Sequence, residues 1–381
     1  MDFTRTPPRR ITVSQLTCRI SNDGWPHRLA FAFDSLSTRL ALPGCVQILR
    51  AAVLCLVPVL VTSCGGAKGP SAPSESPSSE TIVSGRTVDA IDGSAAVGVS
   101  VQVGNAPAVT TDGAGSFQTD VGGSGSFAAV IRSTTTIERR TTVAAPVGDL
   151  RLSLIPGSFD LDAFDQIART VNTHLERWTT RPSLVIIVPV MRYGAGLADA
   201  FVASSEKMTD SEVSNLTTNL IEGLTLLTSG TYTSFGSTTV ERPAPGDIVS
   251  VQRPGKIVIG RYSGIVTAEG TIGFATWLDQ DDGSVTGGSV FLDAVFDHDD
   301  SRRRLLRIHE LGHALGYQHV TSRPSIMNPV LGPEPTDFDR AAATIAFQRP
   351  PGNRAPDRDP EPTIRINSPS SSNPHWAHPV P

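Results

Sequence analysis

The sequence predicts an α+β domain preceded by a small all-β sandwich. Residues 81–155 hold short Val- and Thr-rich runs between Gly, Asp and Ser turns. Residues 157–348 alternate helix-period and buried-strand patterns. Three histidines within the second region stand at helix-and-turn spacing, in His309-Glu310-Leu311-Gly312-His313-Ala314-Leu315-Gly316-Tyr317-Gln318-His319.

The chain has 381 residues, enough for two or three domains, and a net charge of −5. Residues 1–64 carry 7 Arg against 3 acids, so the remainder holds 25 basic and 34 acidic groups, a net of −9. No basic patch or interleaved aromatic platform suggests nucleic acid. All four cysteines (Cys18, Cys45, Cys55, Cys64) lie at or before residue 64, so the folded part has neither disulfides nor a cysteine metal site.

Residues 1–64 read as an N-terminal extension and signal peptide. Arg50 precedes an apolar run, Ala51 to Val61, that is short for a membrane span. Val61-Thr62-Ser63-Cys64 resembles the bacterial lipobox, which implies lipidation of Cys64. The lipid would anchor an exported protein to the cell envelope, at the outer membrane or in the periplasm or cell surface. The stretch before the run fits no signal n-region, so the start of translation is expected downstream, at Val46. Residues 65–80, rich in Gly, Ser and Pro, read as a flexible linker.

From Thr81 the strand signals begin. Thr81 to Val88, Gly98 to Val103 and Thr110 to Phe117 are spaced as in a β-sandwich over 81–155. Their Gly-Val-x-Val-x-Val and Thr-Thr-Asp-x-x-Gly-x-Phe runs resemble a carboxypeptidase regulatory-like domain. Such a domain would be a spacer or a binding module.

In residues 157–348, Leu161, Phe164, Ile167, Val171, Leu175 and Trp178 recur at helical spacing, and 184–190 is a buried strand. Thr209 with Glu212 forms a capping box, with Met208 and Val213 as a hydrophobic staple. The helix it opens presents Val213, Leu216, Leu220, Leu224 and Leu227, and Gly230 ends it. Strands are expected at 256–261, 273–278 and 289–293, and a last helix from Thr336 to Phe347. Asp297, Asp299 and Asp300 are expected to cap the histidine helix and favour its dipole. Residues 349–381, rich in Pro and Ser, read as a disordered tail. Its His375 and His378 read as solvated.

The histidine spacing carries the chemistry. Residues four apart share a helix face, so His309 and His313 can reach one ion. Gly316 allows a sharp turn that returns His319 to it. Three neutral imidazoles leave a fourth zinc position open, the layout of a catalytic site. Glu310, one step round the helix, can reach a zinc-activated water as general base.

The string H-E-x-x-H-x-x-G-x-x-H, followed by Ser325-Ile326-Met327-Asn328-Pro329, resembles the metzincin zinc metalloproteases, the matrixin-like ones in particular. The resemblance is sharp over 302–330 and looser over about 176–348. It implies a metzincin-like catalytic domain at 157–348, with a mixed twisted sheet, an active-site helix, a Met-turn and a C-terminal helix. It implies zinc on His309, His313 and His319, Glu310 as general base, and Met327 supporting the site from below. Asn328 and Pro329 stand where some metzincins carry a tyrosine. Many matrixins hold themselves latent with a propeptide cysteine, and residues from 65 to the active helix offer none. In the family a strand rims the cleft and pairs with extended substrate, a role expected here for 287–295. The stretch between Met327 and the last helix should shape the pocket beyond the cleaved bond. Asp279, Asp281, Asp282 and Asp293 could help bind a structural calcium, as in matrixins, or form an acidic solvated turn.

The expected function is a zinc-dependent metalloendopeptidase, monomeric, acting on protein or peptide substrates and tethered to the envelope. One rival reading is a surface adhesion or carbohydrate-binding lipoprotein with an inactive peptidase-like domain. A second is a zinc hydrolase acting on something other than ordinary peptide, such as peptidoglycan cross-links.

Overall fold

A computed structural model describes residues 81–169, 173–193 and 200–361, together with the backbone of Leu16–Cys18. The apolar run before Cys64, Cys64 itself, the linker and the tail from residue 362 with His375 and His378 lie outside the described residues. Strand β1 (Leu16–Cys18) belongs to the larger sheet described below.

Residues 82–154 form two small sheets. Strands β2 (Ile82–Asp89), β3 (Ser100–Val103), β4 (Val109–Thr110), β5 (Ser116–Asp120), β6 (Gly125–Arg132), β7 (Arg139–Ala145) and β8 (Val147–Leu154) divide between them. One sheet has the order β5-β2-β8, the other β4-β3-β6-β7. Val83, Val101, Val103, Phe117, Ile131, Val143 and Leu152 share the core of this region. Period-2 alternation puts these residues on the inner faces.

The second region is built from α1 (Leu161–Arg169), β9 (Arg177–Trp178), β10 (Ser183–Arg192), β11 (Ala200–Lys207), α2 (Asp210–Leu227), β12 (Thr238–Glu241), β13 (Ile248–Ser250), β14 (Lys256–Ser263), α3 (Ile265–Glu269), β15 (Gly273–Asp279), β16 (Ser284–Asp293), α4 (Ala294–Asp299), α5 (Arg303–Ala314) and α6 (Asp337–Phe347). Its mixed sheet runs β1-β15-β16-β14-β10-β11-β13, with β12 on β10 and β9 on β16. Strands β10, β14 and β16 are parallel, and β15 returns antiparallel beside β16. The combination of several sheets and helices agrees with the α+β expectation.

Both faces of the sheet are buried, which explains the unbroken apolar strands. Ile257, Ile259, Val290 and Leu292 pack in the same core as Leu216, Leu220 and Leu224 of α2 and Ile308 and Leu311 of α5. Val258, Tyr262, Phe274 and Phe291 join a second core with Phe201. Each fully buried leucine of α2 contributes about 1.5–3 kcal/mol. The helix opens on the expected box, with Thr209 taking the Glu212 amide proton and Glu212 bonding back to the Thr209 amide. Met208 and Val213 lie in one core. At the other end Ser229 has φ 47° and Gly230 φ 74°. The Gly230 amide bonds to the Thr225 carbonyl at 2.8 Å, closing the helix.

Three expectations change. The first helix is described over Leu161–Arg169, Val171 lies outside the described residues, and residues 173–176 are not helical. Leu175 and Trp178 are buried as predicted, but Trp178 sits on β9, paired with Val285 of β16. A buried short strand and a helix can present the same apolar spacing, and here the strand ladder wins. Residues 287–295, expected at a cleft edge, lie inside the sheet, because β16 sits between β15 and β14. Residues 349–361, expected as the start of a disordered tail, are packed against both regions. Arg349, Asn353 and Asp357 are buried. Among the described residues no helix is long and apolar enough to cross a membrane.

Polar groups hold that last segment. Arg349 forks onto Asp357 with Nε and Nη2 both 2.7 Å from its carboxylate. Its Nη1 reaches Ser153 Oγ of the sandwich at 2.8 Å. Arg139 bonds Asp359 at 2.9 Å, and Arg169 bonds the Asn353 side chain at 2.5 Å. Leu175 and Gly352 exchange main-chain bonds with Asn353 and Leu175 at 2.8 Å. Removing one partner of a buried pair strands the other charge, at a cost of about 3–5 kcal/mol. Asp357→Ala should therefore lose about that much stability in urea unfolding, while the exposed Asp210→Ala should lose under about 1 kcal/mol. Equal effects from the two would refute the clamp.

Candidate metal centre

Helix α5 runs buried from Leu306 to Ala314. It places His309 and His313 one turn apart and Glu310 beside them. Gly316, at φ 104°, then reverses the chain, and its amide bonds the His313 carbonyl at 2.9 Å. A Cβ there would stand 2.7 Å from the Glu176 carbonyl oxygen, so only glycine suits the turn on both counts. The turn returns His319 to the helix.

The three Nε2 atoms converge. His309 and His313 are 3.0 Å apart, His313 and His319 3.2 Å, and His309 and His319 3.3 Å. Three corners of a tetrahedron with bonds of 2.0–2.1 Å would be separated by about 3.3 Å. The His309 Nδ1–H donates to the Ile326 carbonyl and that of His313 to the Tyr317 carbonyl, both at 2.7 Å. That assignment turns the Nε2 lone pairs toward one another. Burial pushes His309 down to about 4 and His319 to about 3. It holds His313 well below the usual range, helped by the other two rings. All three are neutral at pH 7, as metal ligands must be.

Glu310 is buried beside them, and neither carboxylate oxygen has a hydrogen-bond partner. Burial holds it well above the usual carboxylate range. A carboxylate is not left in this state without a polar group to meet it. The donor set and the orphaned carboxylate fit a cation with a water beside it. Among the described residues, the three histidines form the one group of three or more ligand side chains close enough to hold a metal ion.

Met327 is fully buried beneath the helix. A Cβ on Gly312 would lie 2.5 Å from its sulfur. The turn around Met327 is tied down by residues the sequence reading passed over. Ser325 Oγ donates to Asp339 of α6 and accepts the Met327 amide at 3.0 Å. The Ile326 amide reaches Asp339 at 3.2 Å, and Asn328 Nδ2 bonds the Val320 carbonyl at 2.7 Å. The Tyr317 hydroxyl bonds the Leu227 carbonyl at 2.8 Å. Thr336 and Asp339 form a capping box, a signal that could have drawn attention to Asp339.

The acidic residues before α5 do not cap it. Arg302, its N-cap, makes no side-chain cap bond. Asp300 takes the Arg302 amide at 2.7 Å. Asp297 is fully buried and joins Arg307 of α5 at 2.6 Å to Arg261 of β14 at 2.7 Å. Arg307 continues to Asn215 and Asn219 of α2 at 2.7 and 2.8 Å. Among the described residues, the four acids weighed for calcium (Asp279, Asp281, Asp282 and Asp293) do not bring three ligand atoms together. Asp293 caps α4, Asp282 takes the Ser284 amide at 2.9 Å, and Asp279 is hydrogen-bonded to Glu176.

No family model matches the chain, and no curated protein is significantly similar to it.

Two outcomes follow from this geometry. Gly312→Ala should cost about 1–3 kcal/mol by overpacking against Met327. Thermal unfolding checks it, and an unchanged midpoint would show that Met327 yields without cost. Burial, and then the facing Glu176, push Asp279 up to about 7. The raised value contributes stability fully below the unfolded value of about 3.8, and that contribution is lost as pH rises through about 7. The stability difference between wild type and Asp279→Asn should therefore shift in the variant's favour from pH 4 to pH 8. A pH-independent difference would refute it.

Proposed function

We propose that the chain is a zinc metalloendopeptidase, with a metzincin-like catalytic domain at 157–348. The observation that carries the reading is the convergence of three neutral imidazoles beside a buried, unpartnered carboxylate. Imidazoles also suit copper, iron and nickel, and the full H-E-x-x-H-x-x-G-x-x-H string with its Met-turn favours zinc. Held by His309, His313 and His319, zinc supplies Lewis acidity, polarising a scissile carbonyl and easing loss of a proton from water.

Glu310 takes that proton and returns it to the leaving amine. Burial raises the proton affinity of its carboxyl, which favours the first of these transfers. The outer side of β15, next to Glu310, would offer main-chain donors and acceptors to an extended substrate that displaced the short β1 pairing there. Gly316 and the Met-turn keep the ligands in place and touch no substrate. Export and envelope anchoring through Cys64 belong to the same proposal and rest on the apolar run and lipobox alone. A lipid mass increment on a peptide beginning at Cys64 checks them, and an unmodified Cys64 in the mature protein would refute lipidation.

The decisive experiment pairs metal content with casein cleavage for wild type and Glu310→Ala. About one zinc per chain is expected in both. Cleavage should fall by at least ~10²-fold in the variant. Zinc-free folded wild type, or equal cleavage by the two, would overturn the proposal.

A further inference from the structure

We propose that Gly273 of β15 is a positioning residue for the reaction, and that the space left by its missing side chain seats the Glu310 carboxyl. This rests on the peptidase reading and adds to it a residue that carries no reacting group. A Cβ on Gly273 would stand 2.9 Å from Glu310 Oε1 and 3.2 Å from its Cγ, with Leu306 Cδ1 at 3.1 Å. Unstrained contacts between carbons lie at about 3.5–4.0 Å. The backbone does not ask for glycine here, because Gly273 has no positive φ. Glycine inside a strand weakens it and often marks a close approach. Here the approaching group is the carboxyl, fully buried and without a hydrogen-bond partner.

The walls of this seat are fixed, so an added methyl group must be met by Glu310 itself. Gly273 pairs with Leu292 of β16, and its carbonyl accepts the Thr271 hydroxyl at 2.8 Å. Its neighbour Phe274 is stacked on Phe291 at 4.3 Å, in the second core. Behind the carboxyl, α5 is held through Arg307 and Asp297. Side chains two apart on a strand share a face. Ala275 and Trp277 follow Gly273 on the face that packs with Ile308, Leu311 and Ala314 of α5. Side-chain size thus falls along β15 toward Glu310. A second strand glycine, Gly288 of β16, also lies against α5, with its Cβ position 3.0 Å from the Ala314 Cβ. It makes room for the helix one turn beyond Glu310, and its near neighbours are Ala314 and Ile257, which makes it the control.

The test is a double-mutant cycle on the full chain at matched zinc content. Gly273→Ala should lower the thermal midpoint of the otherwise unchanged protein by about 2 °C or more. In the Glu310→Ala background the same substitution should leave the midpoint unchanged or raise it, since alanine in an ordinary backbone conformation restricts the unfolded chain. Gly288→Ala should lower the midpoint equally in both backgrounds. Zinc-loaded Gly273→Ala should cleave casein peptides with KM within about twofold of wild type and kcat lower by at least ~10-fold. An equal fall in midpoint from Gly273→Ala in both backgrounds would overturn the seat. An unchanged kcat would overturn its part in the reaction. No cleavage by zinc-loaded wild type would instead fail the peptidase reading, and the positioning role with it.

Discussion

Three imidazoles and one carboxylate crowd together between α5 and the turn around Met327, and the surrounding structure answers the cost of keeping them there. Burial favours neutral rings. Neutral rings must still be oriented, and two are fixed through Nδ1 by main-chain carbonyls of Tyr317 and Ile326. Each carbonyl belongs to a segment that is itself held. Tyr317 is anchored on α2 through its hydroxyl. Ile326 is anchored on α6 through Asp339. The site thus draws on two helices that supply no ligand of their own.

The helix that carries the ligands is held from behind in the same manner. Arg307 lies two residues before His309 and is fully buried. A buried guanidinium is tolerable only when its charge and donors are matched. Asp297, Asn215 and Asn219 match them, which ties α5 to α4 and α2, and Asp297 extends the tie to Arg261 on β14. These bonds are directional, whereas the leucine packing between α2 and α5 constrains position more than rotation.

Much of this was legible in the sequence, for physical reasons. His309, His313, Gly316 and His319 are fixed by helix geometry and one turn, so their spacing shows in the chain itself. The Thr209 capping box and the apolar runs of β10, β14 and β16 are local patterns too. The features that escaped depend on distant partners. Asp297 looks like a helix cap until Arg261 and Arg307 are brought to it. The Leu161 to Trp178 periodicity does not show that a strand ladder claims Trp178. Strand order, which sets β16 inside the sheet and makes β15 the antiparallel return strand beside it, is a property of the whole sheet. Residues 349–361 are poor in apolar side chains, and composition alone sends them to solvent. They fold because buried arginines from other elements need their oxygens.

That segment also bears on the sandwich. A stalk on a flexible joint would leave 82–154 free to act apart from the second region. The junction is instead a set of charge-assisted hydrogen bonds among Arg139, Ser153, Arg349, Asp357 and Asp359. Apolar surfaces slide over one another at little cost. Forked arginine–carboxylate bonds lose both partners' hydrogen bonds when displaced. Whatever surface the sandwich presents is therefore held at one orientation to the metal centre.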